Sequence, residues 1–192
     1  MRTLLVSVMM CLIWATGSGA QEIGDDGLHK APWIRDTFKD LNEDLAEANA
    51  EGKRLVVMVE QRGCIYCAKM HEKVFSRDDI AKYIDDNFFV LQFNLHGSTE
   101  VTDFDGEVLE ERDMVRKWGM LFTPTILFFP QEVTAIPAPQ NAVAIMPGAF
   151  GPGTTLDMMT WVVEERYLNE LEEDFQRYHA RMIQERNDGN TD

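Results

Sequence analysis

The cysteine pair Cys64 and Cys67, separated by two residues, is the part of this sequence best suited to chemistry. It lies in the stretch EQRGCIYCAKMH, residues 60–71. Two thiols at this spacing are typical of a redox couple, half of a zinc site, a haem attachment or a short structural disulfide. The residues around the pair indicate which of these kinds of chemistry the sequence favours.

The residues that follow the pair argue against haem and weaken the case for a metal. Covalent haem attachment uses Cys-x-x-Cys-His, whereas Ala68 follows Cys67 here. Structural zinc takes four ligands. Cys64, Cys67 and His71 would supply three on one predicted helical face, and the sequence has no second cysteine pair. A metal carrier that uses these three side chains stays an alternative with an incomplete ligand set.

The elements predicted around the pair favour redox chemistry. The apolar run RLVVMVE, residues 54–60, indicates a buried parallel strand, and a predicted helix begins at the cysteine pair. Free backbone N–H groups and the helix dipole would lower the pKa of the Cys64 thiol, and the thiolate is the nucleophile. We therefore expect Cys64 to attack a partner's disulfide and Cys67 to resolve the mixed disulfide. No separate cofactor is needed, because the cysteine pair carries the two electrons.

The rest of the chain alternates between predicted strands and helices. This order indicates an α/β fold with a central mixed β-sheet flanked by helices, and with an extended C-terminal helix. In the polar stretch 96–109, Asp105-Gly106 indicates a tight turn. Strands are predicted at 88–95, 123–130 and 142–146, and helices from Trp33 to Gly52, at 77–87, at 109–119 and from Thr154 to about Arg186.

The first 20 residues indicate a cleaved signal peptide. Arg2 precedes an apolar run, and Ser18-Gly19-Ala20 has the small residues of a cleavage site. The run from Leu4 to Ala15 is shorter than the roughly 20 residues that span a bilayer, so we expect no stable membrane insertion after cleavage. The net charge of −15 excludes nucleic-acid binding through phosphate contacts and favours solubility.

A strand, Cys-x-x-Cys and a helix, followed by TPT and a strand, resemble the thioredoxin superfamily over roughly residues 35–168. The resemblance implies a thioredoxin-like fold in which Thr123 and a cis Pro124 lie beside the cysteine pair and bind the substrate backbone. We accordingly predict a signal peptide at 1–20, a loose leader at 21–32, a thioredoxin-like domain at 33–168 and a C-terminal helical extension and tail at 169–192.

Three stretches carry a closer resemblance: EQRGCIYCAKMHEKVF, FVLQFNLHGSTEVTDFDGE and LFTPTILFF. They are similar to the exported thioredoxins of bacterial sulfur oxidation, the SoxW type. This resemblance implies a periplasmic reductant of disulfides on exported protein substrates, as in sulfur oxidation or cytochrome maturation. It also implies a membrane electron donor of the CcdA or DsbD type.

The sequence departs from the usual thioredoxin pattern between and before the cysteines. Ile65-Tyr66 replaces the usual Gly-Pro dipeptide, so the chain could be a reductant or an oxidant of disulfides. Met58 stands where the family has a buried acid. Glu60, four residues before Cys64, is either a proton acceptor for Cys67 or a surface residue at the end of a strand.

Two aromatic residues near the pair are candidates for substrate contact. Tyr66 and Phe122 would give an unfolded or peptide-like partner an apolar rim, although core packing is the favoured interpretation for Phe122. A binding or chaperone module that keeps the fold without the chemistry is the alternative function. In that case the C-terminal helix would dock another protein or a second copy of this chain. The alternative for this helix is that it folds back on the domain.

Overall fold

The computed structural model describes residues 22–169 and 171–189, so the predicted signal peptide lies outside the described residues. Five strands form the main sheet, and two form a separate antiparallel pair. In chain order the strands are β1 (Ile34–Arg35), β2 (Arg54–Glu60), β3 (Phe88–Asn94), β4 (Glu100–Thr102), β5 (Val108–Glu110), β6 (Thr125–Phe128) and β7 (Ala144–Pro147). The spatial order of the main sheet is β1-β3-β2-β6-β7. It is mixed, because β2 runs parallel to β3 and antiparallel to β6.

Helices cover both faces of the main sheet. Alternate residues of β2 point to opposite faces, so that Met58 packs in one apolar cluster while Val57 and Val59 pack in the other. The α-helices are α1 (Leu41–Ala50), α2 (Ile65–Met70), α3 (Asp78–Asn87), α4 (Glu111–Lys117), α5 (Ala138–Asn141), α6 (Pro152–Val163) and α7 (Phe175–Asp188). A π-helical turn, His71–Phe75, continues α2, and a 3-10 turn, Arg166–Asn169, follows α6. The predicted fold class, including a C-terminal helix, is confirmed.

Within the described ranges, no helix combines the length and apolarity needed to cross a membrane.

The first helix begins later than the sequence predicts. The apolar spacing predicts a helix from Trp33, but the next two residues form β1, which pairs in parallel with β3. Asp40 caps α1 by accepting two backbone N–H groups of its first turn, so the helix starts only at Leu41. Phe38, which would lie on the apolar face of that predicted helix, is 95% exposed. The cap and the strand pairing outweigh the apolar periodicity.

The predicted long helix over 154–186 is two helices that face each other. After α6 the backbone turns at Glu165, whose φ of 54° is left-handed, and α7 returns along α6. The Phe175 ring meets Trp161 edge-on at 6.0 Å, and Tyr178 is buried. The apolar stripe in the sequence therefore belongs to a helical hairpin. Burial of the apolar side chains of α7 against α6 stabilises the hairpin more than one continuous helix would be stabilised.

A buried carboxylate fastens α7 to α6. Asp157 binds His179 Nδ1 at 2.6 Å and accepts two hydrogen bonds from Arg186 at 2.7 and 2.9 Å. Burial would raise the pKa of Asp157, but the hydrogen bonds from Arg186 and His179 outweigh burial and lower it. His179 Nε2 lies 3.2 Å from the Thr154 hydroxyl, which completes the contact between the two helices.

The segment predicted as a loose leader packs on the domain. Ile23 forms an antiparallel bridge with His29, and Leu28 is 2% exposed. Arg62, which lies just before Cys64 in the sequence, donates from its guanidinium to the Asp25 carbonyl oxygen at 2.7 Å. Residues 22–32 therefore pack on the folded unit, because Leu28 is buried and the His29 ring stacks on His71.

The polar stretch 96–109 forms the hairpin of β4 and β5, with its turn at Gly106, whose φ is +84°. Asp103, fully buried beside the turn, accepts hydrogen bonds from the Trp118 indole at 2.8 Å and from the Ala138 backbone at 2.9 Å. Lys117 binds Asp103 and Asp105 at 3.2 and 3.0 Å. One carboxylate thus ties the hairpin to α4 and to the start of α5.

Candidate functional site

The two cysteines form a disulfide at the start of α2. Cys64 is the N-cap residue, and its Sγ accepts a hydrogen bond from the Cys67 N–H at 3.0 Å. Gly63, with a left-handed φ of +71°, lets the chain turn from β2 into the helix. Cys64 is 8% exposed and Cys67 1%, so Cys64 is the sulfur that a partner meets first.

The loop before β6 brings Thr123 and Pro124 to the disulfide. Thr123 Oγ1 donates to Cys64 Sγ at 3.3 Å, and the Thr123 carbonyl oxygen lies 3.4 Å from the same sulfur. The Thr123–Pro124 peptide bond is cis. Two hydrogen-bond donors therefore converge on Cys64 Sγ, one from the helix and one from this loop.

Exposed apolar side chains flank the disulfide on α2 and on the loop before β6. Phe122 is 67% exposed, so its favoured assignment to the core is wrong. Tyr66 is 57% exposed and lines, with Phe122 and Thr123, a surface pocket of about 340 Å³. The neighbours Ile65 and Leu121 are also exposed. We call these four side chains, Ile65, Tyr66, Leu121 and Phe122, the apolar rim.

Glu60 is buried, which excludes the surface alternative of the sequence analysis. It is 1% exposed at the end of β2, where its carboxylate contacts His71 Nε2 at 3.0 and 3.3 Å. The Gln92 side-chain amide donates to Glu60 at 2.6 Å from the neighbouring strand β3. Glu60 therefore belongs to a buried polar cluster beside the first turns of the cysteine helix.

His71 and His29 complete this cluster. The two rings stack with centroids 4.7 Å apart, and His71 is fully buried. Burial and the neighbouring His71 lower the pKa of His29, while Glu60 opposes the shift. The Gln92 amide also donates to the His29 carbonyl oxygen at 2.8 Å, so that the N-terminal segment closes over the cluster.

The partners of Glu60 could not be predicted from the sequence. The sequence suggests His71 only as a possible metal ligand, because its pairing with Glu60 depends on a contact between a helix and a strand. A signal for Gln92 exists, since it is a polar residue inside the apolar run FFVLQFN of β3. In residues 22–169 and 171–189, no set of three or more His, Cys, Asp or Glu side chains is arranged to hold a metal ion.

The fold and the disulfide define a thioredoxin-like protein, and comparison with known proteins agrees. Residues 41–138 match the family model described as a thioredoxin-like domain, and the chain belongs to this family. No curated protein sequence matches the chain significantly. A thioredoxin-like domain with a Cys-x-x-Cys disulfide supports a thiol–disulfide oxidoreductase as the general class.

Two solved structures show the same fold at low sequence identity. A thioredoxin-fold protein from Helicobacter pylori has a TM-score of 0.55 and 15% identity, with 69% of this chain and 86% of that chain covered. A thioredoxin from Thermus thermophilus has a TM-score of 0.50 and 21% identity, with coverages of 64% and 83%.

Proposed function

We propose that this protein is an exported thiol–disulfide oxidoreductase that reduces disulfides in periplasmic proteins through Cys64 and Cys67. The observation that carries the proposal is the convergence of the Cys67 N–H and the Thr123 hydroxyl on Cys64 Sγ, at 3.0 and 3.3 Å. Hydrogen-bond donors favour the charged form of the group that accepts them. In the reduced protein these donors favour the Cys64 thiolate, which is the attacking species.

The reaction transfers two electrons from the cysteine pair to the partner. The Cys64 thiolate attacks one sulfur of the partner's disulfide, which forms a mixed disulfide and releases one partner thiolate. Cys67 then attacks Cys64, which re-forms the Cys64–Cys67 disulfide and releases the second partner thiolate. The protein ends oxidised and the partner reduced, without any other cofactor.

The apolar rim supports a polypeptide as the partner. Tyr66 and Phe122 line the pocket beside Thr123, and their exposed rings offer apolar contact to an extended or unfolded segment that carries a cystine. The Thr123 backbone lies at Cys64, where it can bind the partner's main chain.

The reducing direction and the location are supported by sequence. The first 20 residues have the pattern of a signal peptide, which would deliver the protein to the periplasm. The similarity to SoxW-type thioredoxins supports a role in sulfur oxidation or cytochrome maturation. In an oxidising compartment the pair must be reduced after each turnover, and a membrane donor of the CcdA or DsbD type would supply those electrons.

The reduction potential of the Cys64–Cys67 pair tests the direction. We would equilibrate the mature protein with glutathione buffers and quantify the dithiol and disulfide forms. A potential near that of thioredoxin, about −270 mV, is expected for a reductant. A potential near that of DsbA, about −120 mV, would overturn the reductant in favour of a disulfide oxidant.

Covalent trapping tests the chemistry itself. The Cys67→Ser variant should retain the Cys64 attack but lose the resolving thiol, so that exported partners stay attached through Cys64. The Cys64→Ser variant is the matched control and should trap none. If Cys67→Ser captures no partner, and a variant with both cysteines replaced by serine keeps full biological activity, the protein is a binding module.

A further inference from the structure

The buried pair of His71 and Glu60 has no role in the reaction described so far, although it lies beside the resolving cysteine. His71 follows Cys67 by four residues, and its backbone N–H donates to the Cys67 carbonyl oxygen. Residues four apart on a helix have Cβ atoms about 5–6 Å apart, and helical side chains lean toward the preceding turn. The His71 ring is therefore directed toward the turn that holds Cys67.

The hydrogen bonds of Glu60 fix which nitrogen of His71 is free. Glu60 accepts from the Gln92 amide and contacts His71 Nε2, so an ionised Glu60 requires the His71 proton on Nε2. His71 Nδ1 then carries a lone pair. It is buried and has no hydrogen-bond partner among the described residues.

In the oxidised protein Cys67 Sγ is bonded to Cys64 Sγ and makes no hydrogen bond with His71 Nδ1. A disulfide sulfur carries no hydrogen, so Cys67 cannot donate in the structure described here. Reduction gives Cys67 an S–H group on the helical turn next to His71. Buried polar groups are generally satisfied, and the Cys67 S–H group is a candidate donor to Nδ1 once the broken disulfide lets the side chain turn toward His71.

We propose, resting on the proposed oxidoreductase function, that His71 Nδ1 accepts the Cys67 thiol proton when Cys67 resolves the mixed disulfide. The proton moves from Cys67 Sγ to Nδ1, and Cys67 Sγ bonds to Cys64 Sγ as the bond from Cys64 to the partner breaks. The departing partner thiolate, or water, then takes the proton from His71. Glu60 is the positioning residue that holds the ring and stabilises its charged form.

The charged groups around His71 suit this role. Glu60 of β2 supplies the negative charge, and His29 of the N-terminal segment stacks on the ring. Lys30 reaches the cluster only through the Gln92 side-chain oxygen, at 3.2 Å. Trp33 and Phe75, whose rings also contact the His71 ring, carry no charge. Glu72 is the next residue after His71 and adds a second acidic group nearby in the sequence. Because one carboxylate contacts the ring directly, a proton on His71 has a counter-charge in place.

The two steps of the reaction can be timed separately in the full mature chain. The reduced protein is mixed with excess dithiobis(nitrobenzoate), an aromatic disulfide that releases a coloured thiolate at each step. The attack by Cys64 gives a phase whose rate rises with reagent concentration, and the resolution by Cys67 gives a phase independent of it. We would record both phases from pH 5.5 to pH 10.

The His71→Asn variant should slow only the second phase. Its rate near neutral pH should fall roughly 10- to 100-fold, as expected for loss of a general base. Above about pH 9 it should approach the wild-type rate, because an ordinary thiol ionises unaided near pH 8.5. The Glu60→Gln variant should move the second phase in the same direction, and His96→Asn, an exposed histidine, should leave both phases unchanged.

Each outcome decides a different claim. If the wild type shows no concentration-dependent phase, the proposed function fails. If the wild type shows both phases and the His71→Asn second phase has the same pH profile, the role of His71 is overturned. If His71→Asn does not fold, the Glu60→Gln profile decides, and an unchanged second phase in that variant also overturns the proposal.

Discussion

Thr123 Oγ1 donates to Cys64 Sγ at 3.3 Å across 59 positions of sequence. The same sulfur accepts the Cys67 N–H at 3.0 Å, so two donors from different elements meet at one atom. In the oxidised protein these bonds orient the disulfide. In the proposed reaction the same donors would bind the Cys64 thiolate, and hydrogen bonds to charge are stronger than neutral ones.

Replacing Thr123 by valine should slow the attack by Cys64. The substitution keeps the shape but removes the hydroxyl donor, so the thiolate form becomes less favourable. Hydrogen bonds to charged groups contribute about 1.5–3 kcal/mol, and we expect the attack rate at pH 7 to fall by roughly tenfold. The midpoint of iodoacetamide alkylation should move to higher pH.

Thr123→Ser keeps the donor and should restore most of the attack rate. Equal alkylation curves for the valine and serine variants would show that the Thr123 hydroxyl does not act on Cys64. Thermal denaturation of both variants checks that the loop before β6 is intact.

Replacing Phe122 by serine should weaken peptide binding without affecting stability. The side chain is 67% exposed, so little packing is lost on substitution. Loss of roughly 1–2 kcal/mol of apolar contact should raise the KM for a cystine-containing peptide about 5- to 30-fold. The rate with hydroxyethyl disulfide, which is too small to cover the apolar rim, should be unchanged.

Phe38→Ser is the matched control, because Phe38 is also exposed but does not line the pocket at the disulfide. A similar KM for the two serine variants would remove the apolar rim from substrate recognition.

Asp44→Asn should stabilise the protein above pH 6. Burial, together with the nearby acids Asp40, Glu47 and Glu43, raises the pKa of Asp44 to about 6, although a hydrogen bond from Thr37 opposes the shift. A raised pKa means that the folded state binds a proton more tightly than the unfolded state. The Asp44 carboxyl therefore contributes its full stability to the folded state at a pH below its ordinary pKa of 3.8. This contribution is lost as the pH rises through the raised pKa of about 6.

The expected gain for Asp44→Asn is roughly 1–3 kcal/mol at pH 7.5 and close to zero at pH 4. Urea denaturation at the two pH values measures it. Asp36→Asn removes an exposed acid from the same surface and should change stability little at either pH. A gain that is equal at both pH values would contradict the raised pKa.

Asp157→Asn should loosen α7. The substitution leaves Arg186 and His179 without their buried carboxylate, and we expect a loss of about 1–3 kcal/mol, with faster hydrogen exchange in α7. Since the pKa of Asp157 is lowered, its contribution is present above pH 3.8 and is lost as the pH falls through the lowered pKa. The loss should therefore shrink in strong acid.

Glu185→Gln breaks the exposed pair with Arg181 and should cost far less, because exposed ion pairs contribute little. Equal losses for Glu185→Gln and Asp157→Asn would mean that the buried carboxylate does not hold the two helices together.

The elements next to the cysteines could be predicted because their signals are local. The apolar run of β2 is buried on both faces of the sheet, and Cys64 follows it at the point where a helix can start. The bounds of β2 agree with the prediction, and β3 ends one residue before the predicted strand. Such signals depend on neighbouring residues and therefore survive in a single sequence.

The contacts of Glu60 could not be predicted in the same way. Its burial depends on His71 from the π-helical turn and on Gln92 from β3, which are 11 and 32 residues away. The sequence leaves open that the C-terminal helix folds back on the domain, as α7 does on α6, but the break between the two helices could not be predicted for a similar reason. The apolar stripe has the same spacing in one long helix as in two helices, and the reversal at Glu165 gives no pattern in the sequence.

The edges of the main sheet limit how a partner polypeptide can attach. One edge is β1, which has two residues, and the other is β7, which has four and ends in Pro147. Short edge strands and proline offer few free backbone groups for strand addition. Both edges of the main sheet are thereby protected against strand addition, so a polypeptide bound beside the disulfide would be held by side-chain and loop contacts and not as an additional strand.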